Sequence, residues 1–170
     1  MAQPGQPAND LEVRWRLAAA ADLRLQAQLA AAVAADQRAL VFAGFLVAAS
    51  AALGGAAATV LTGSSLDHYL GKVAFVAACG MLAAMACALV AARPARWYFA
   101  GAQPSDWRND LIAKKPEITQ VEELLVDMDR RLRKNDRSMK VNGWWITSSA
   151  SIALLTLFVA GILLAKHIWN

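Results

Sequence analysis

The densest place for chemistry in this 170-residue chain is the run Arg130-Arg131-Leu132-Arg133-Lys134-Asn135. Guanidinium and ammonium groups supply charge for a phosphate, and a carboxamide offers the donor and acceptor that read a base edge. Asp36 and Arg38 form a second polar pair. The candidate ligand-binding set is therefore Arg130, Arg131, Arg133, Lys134, Asn135, Asp36 and Arg38, with a small anionic ligand expected and no nucleic acid polymer. A second reading stays open. The basic run is equally a solvated face beside anionic lipid, and Asn135 a polar residue that sets register where helices pack. Asp36 and Arg38 are then a charge pair at the headgroups.

Other chemistry is sparse. The histidines are His68 and His167, read as lying on one side of the membrane in separate loops. No His, Cys, Asp or Glu cluster has metal-ligand spacing, and no glycine-rich phosphate loop follows a strand. Cys79 and Cys87 read as small apolar helix residues. No catalytic residue, metal or cofactor is expected, and the chain reads as a non-enzyme.

The elements that must position the basic run are set by hydropathy. The chain is 58% apolar, and three blocks carry no charge: Leu40 to Leu61, Val73 to Ala92 and Trp144 to Ala165. Each is long enough for about 30 Å of hydrocarbon. The expected fold is an all-α integral membrane protein with three transmembrane helices, two of them extended by long cytosolic helices that form a stalk or bundle. Its parts are a disordered tail (1–9), a cytosolic helix (10–39), a transmembrane hairpin (40–92, spans 40–61 and 73–92), a cytosolic linker and basic heptad helix (93–143), a third span (144–165) and an outer tail (166–170). Asn9 reads as the first helix cap, with Glu12 completing a capping box. Gly63 to Gly71 reads as the hairpin turn, and Arg96 to Phe99 as an aromatic and basic belt at the inner surface. Fifteen of the 17 Lys and Arg precede the first block or lie between the second and third. Basic residues mark the cytoplasmic side. The expectation is a bacterial inner-membrane protein with its N-terminus cytoplasmic and its C-terminus outside.

Two rows at spacings of three and four suggest helix packing. One is Ile118, Val121, Leu125, Met128, Leu132, Asn135, Met139, then Asn142, Ile146, Ser149, Ala153, Thr156 and onward to Leu163. This is the a/d pattern of side-by-side helices. Its first half reads as an oligomer seam (Ile118, Val121, Leu125, Met128, Leu132, Met139). In its apolar half Ser149 and Thr156 read as interhelical glue or as a pore lining. The other row runs from Leu23 through Ala27, Ala34, Gly44, Ala48, Ala51 and Gly55 to Thr62. Its small residues, Gly44 and Gly55 among them, permit close approach of helices in lipid. A homo-oligomer in contact with membrane lipid is expected.

Ala35-Asp36-Gln37-Arg38-Ala39 opening the first apolar block, and the basic helix Arg130 to Asn135 before the last, resemble signatures of one family. It is the bacterial antiphage Pycsar-type transmembrane effectors with their SLATT-like relatives; Arg38 stands where that pattern has lysine. The resemblance implies a membrane protein that responds to a cyclic nucleotide made by a neighbouring cyclase. On activation it oligomerises in the inner membrane and impairs membrane integrity. The alternatives are a non-catalytic scaffold or accessory subunit of a membrane complex, or a small channel for a neutral solute.

Overall fold

The computed structural model describes residues 6–63, 68–93, 97–101, 108, 110 and 112–169, with side chains from residue 10 onward. Its elements are α1 (Gln6–Thr62), α2 (His68–Ala91) and α3 (Glu117–Trp169). No strand occurs among the described residues. All three helices are long and apolar enough to cross a membrane.

α1 runs unbroken for 57 residues, past Asp36 and through Gly54-Gly55. Its Ala, Leu, Arg and Gln content favours helix throughout. The expected cap at Asn9 is overturned, because the helix begins at Gln6. Pro7 explains the earlier start, since its fixed φ suits a first turn whose N–H groups lack partners anyway. The hairpin turn also needs correction: His68 to Gly71 are already helical. Gly71 is there for space. A Cβ on it would come within 2.8 Å of Leu61 Cγ and 3.2 Å of Val60 Cγ1. His68 and His167 are thus both helical, not in loops, and Tyr69 stacks on the His167 ring at 4.7 Å. α3 starts after Pro116, whose carbonyl accepts from Thr119 N–H and Gln120 N–H.

The described chain forms two compact units, Met1–Val33 with Ala95–Met139, and Ala34–Pro94 with Lys140–Asn170. In the first, α1 and α3 pack around Ala18, Leu25 and Met128, flanked by Leu124, Leu125 and Leu132. Arg14 pairs with Glu122, and Trp15 Nε1 donates to Glu117 Oε1 at 3.1 Å. The second unit is a three-helix core around Leu46, Met81, Ala84 and Ala153. Two buried hydroxyls hold α2 there. Ser50 donates to the Ala78 carbonyl at 3.1 Å, and Ser149 to the Ala84 carbonyl at 2.6 Å. Hydrogen bonds between helices in lipid contribute about 0.6 kcal/mol on average. Ser149→Ala is therefore expected to cost about that much, read as a small fall in thermal stability of the purified protein in detergent. A loss several times larger would mean that Ser149 packing, rather than its bond, holds α2.

The α3 row is the face this helix turns inward in both units: Val121, Met128, Asn135, Ser149 and Ala153 are all buried. The row read as an oligomer seam packs within the chain. Leu125 and Leu132 pack against the Ala18–Leu25–Met128 cluster of the same chain, and Met139 is half-buried. Only Ile118, at the start of the row, is open enough to count as exposed. The row read on α1 is not its packing face. Gly44, Ala48, Ala51 and Gly55 are exposed, and a Cβ at Gly44 or Gly55 would meet nothing within 4 Å. α1 instead buries Ala18, Leu25, Ala32, Ala39 and Leu46, with Ala43, Ser50 and Ala57 beside them. Neither size nor bulk marks the face of this helix, since the buried positions are mostly alanine while Leu23, Leu40 and Phe45 are exposed.

Candidate functional site

Arg130 to Asn135 lie on α3 in the first unit, and Asp36 and Arg38 on α1 in the second. Burial raises the Asp36 carboxyl above the usual carboxylate range, and Arg38 is exposed.

In the first unit the basic run meets the chain's own backbone. Segment 97–101 is not helical and lies as a strap on α3. Asn135 is 1% exposed, and both ends of its amide are engaged by one residue. Its Oδ1 accepts from Tyr98 N–H at 3.0 Å, and its Nδ2 donates to the Tyr98 carbonyl at 3.0 Å. Arg131 donates to the Gly101 carbonyl at 2.8 Å and the Phe99 carbonyl at 3.3 Å. It is also paired with Asp127 at 2.6 Å. Lys134 Nζ sits 4.7 Å from the Tyr98 ring centre and donates to its hydroxyl at 3.2 Å. Across the strap, Gly101 N–H donates to Asp22 Oδ1 of α1 at 2.7 Å. Gly101 has φ +88°, a conformation open mainly to glycine.

These contacts correct the ligand reading. Asn135 does not present a free edge to a base, because its side chain is buried against Tyr98. Its donor and acceptor are both used on one residue of the strap. Arg131 is committed to two carbonyls and a carboxylate, and Arg133 pairs with Asp129. Arg130 stays exposed on α3. The belt reading of residues 96–99 changes as well: Tyr98 is anchored on Lys134 and Asn135, while Arg96 lies outside the described residues. The turn read at Ser105 to Arg108 also lies outside them, apart from Arg108, which is helical.

At the start of α3, Lys115 pairs with Glu123 at 2.7 Å and Asp110 at 3.0 Å. The Glu123 carboxylate, followed by Asp110, raises the Lys115 ammonium above its ordinary value.

Sequence reasoning missed Asp22, Tyr98 and Gly101. The available signal was Gly101 within an irregular stretch, five residues after a basic residue and three after Tyr98.

In the second unit Ser149 is fully buried, which removes it from a water path within one chain. Thr156 Oγ1 donates to Ile152 of its own helix at 2.8 Å. Its side chain faces Gly80, where a Cβ would come within 2.6 Å of Thr156 Cγ2. An apolar groove of about 460 Å³ between α2 and α3 is bordered by Val76, Gly80, Leu155 and Thr156. Among the described residues no three His, Cys, Asp or Glu gather as a metal site. No protein-family model, curated protein or solved structure matches the chain.

Proposed function

We propose that this chain is a bacterial inner-membrane effector of an antiphage signalling system. Its three apolar helices span the bilayer, and its first unit stands in the cytoplasm with the N-terminus. The observation that carries the membrane part is the coincidence of three uncharged blocks with three helices long enough to cross. The skew of Lys and Arg supports the orientation. Labelling tests it: in a variant without native cysteines, Lys166→Cys reacts with an impermeant maleimide on intact cells, and Arg24→Cys only after lysis. The reverse pattern would invert the topology.

The effector part rests on the resemblance of Ala35 to Ala39 and of Arg130 to Asn135. The trigger in this reading is a cyclic nucleotide from a neighbouring cyclase. With the strap bound, Arg131 and Asn135 are already occupied, so no contact to that ligand is assigned to them. Co-expression with an active cyclase should collapse the membrane potential and arrest growth. Normal growth with an intact potential at saturating nucleotide defeats the proposal.

The oligomer in this reading forms through the uncovered small-residue face of α1, not through the α3 seam. Gly44→Leu with Gly55→Leu should reduce the particle size in detergent while leaving the monomer fold intact, since both positions open onto free space. An unchanged size would move the interface elsewhere. The alternative of a non-catalytic scaffold draws on one observation, the closed packing around Ser149, whose hydroxyl is fully buried and donates to the Ala84 carbonyl. It is separated from the effector by the membrane-potential measurement. A channel for a neutral solute has less support, since Ser149 is fully buried and Thr156 donates to its own helix.

A further inference from the structure

The strap lies on the first unit as an occupant, not as part of its core. Ala100 alone of its residues joins the Ala18–Leu25–Met128 cluster, and Phe99 keeps 64% of its surface open. α1 and α3 meet directly through Leu25, Met128, Leu124 and Leu125. What holds the strap is polar. Asn135 takes both the N–H and the C=O of Tyr98, Arg131 takes two carbonyls, and Asp22 takes one N–H. Gly101 therefore stands between a carboxylate and a guanidinium, with its N–H toward one and its C=O toward the other.

That pattern matches a neutral peptide backbone better than a phosphate. Asp127 pairs with Arg131 and Asp22 accepts from Gly101, so two carboxylates offset the charges of Arg131 and Lys134, and a carboxylate acceptor would repel an oxyanion. An amide that accepts and donates to a single residue is the pairing one strand offers another. Hydrogen bonds of this kind contribute about 0.5–1.5 kcal/mol each, and segments with few apolar contacts open more readily than helix cores. Arg131 keeps Asp127 when the strap leaves, so opening leaves no orphaned charge there.

We infer that Asp22, Arg131, Lys134 and Asn135 form a cradle for an extended peptide with an aromatic residue three before a glycine, and that strap 97–101 is a latch that leaves this cradle as a unit. The inference holds whether or not the chain is an effector. Two measurements on the full chain in detergent test it. The first is hydrogen exchange. The Tyr98 and Gly101 amides should exchange at least about 100-fold faster than those of Leu25 and Met128, because the latch opens without the helices. Exchange of all four at one rate makes the strap part of the fold and overturns the proposal. The second uses a fluorescent peptide copying residues 95–102. Gly101→Pro removes the N–H that Asp22 accepts and cannot adopt the positive φ, which disables the tethered strap. The peptide should bind Gly101→Pro at least tenfold more tightly than the natural protein, and Asn135→Ala added to that variant should abolish binding. Equal binding to both proteins, or none to Gly101→Pro with exchange of the helix amides unchanged, refutes the cradle. If Gly101→Pro fails to fold, Gly101→Val takes its place, because a β-branched side chain disfavours the positive φ of the strap and leaves the cradle residues intact, with the same outcomes.

Discussion

Leu25→Asp is expected to unpack α1 from α3 in the first unit. Leu25 is 1% exposed and lies in one cluster with Ala18 and Met128. A carboxylate placed there has no cation in the cluster and loses its hydration. An uncompensated buried charge costs about 3–5 kcal/mol, a large share of what holds a small helical unit together. The readout is hydrogen exchange over α1 residues 14–32 and α3 residues 118–135, which should rise together. Leu23→Asp is the control. Leu23 lies two residues away but is 66% exposed, so its carboxylate stays hydrated and exchange should barely change. Equal effects from both variants would mean that the Leu25 face is not the packed one.

Gly80→Val carries the second large effect. Its Cβ would overlap the Thr156 side chain, and the extra methyl groups add to the clash. Overpacking of this kind costs about 1–3 kcal/mol. Thermal unfolding in detergent should register the loss. Thr156→Gly removes the opposing side chain and should return most of the stability, because the two positions are in contact and their effects do not add. Without that rescue, the close approach of α2 and α3 is not what makes Gly80 small. Gly143 is a useful comparison: a Cβ there meets nothing within 4 Å, so Gly143→Ala should be neutral or slightly stabilising.

The helices were legible because their signals are long and redundant. Three uncharged blocks, a chain without proline from Asp10 to Thr62, and Pro116 before an acidic first turn all point to the same elements. The α3 row was legible because its pattern alternates large apolar with polar residues: Val121, Met128 and Asn135 are inward while Glu122, Asp129 and Asp136 are outward. Which partner the row meets was not. A heptad pattern states that a helix packs on another helix, and a helix of the same chain satisfies it as well as one from a second copy. The α1 face was illegible for a different reason, since alanine on every side leaves periodicity without contrast.

The candidate site was half-visible. Arg131, Lys134 and Asn135 do form one polar cluster, but their partners come from backbone groups of residues 98–101. Backbone donors and acceptors exist at every position, so a sequence cannot show which of them are used. Asp22 was hidden likewise: it is one acidic residue among several on α1, and only its contact with Gly101 sets it apart.

The two serine bonds onto α2 have a bearing on how relatives of this chain should vary. Each donor is a specific side chain, Ser50 or Ser149, but each acceptor is a main-chain carbonyl, at Ala78 or Ala84. A carbonyl survives any substitution at its own residue. Across descendants of a common ancestor, positions 50 and 149 should therefore keep a hydroxyl. Positions 78 and 84 should drift among small apolar residues, restrained by room alone.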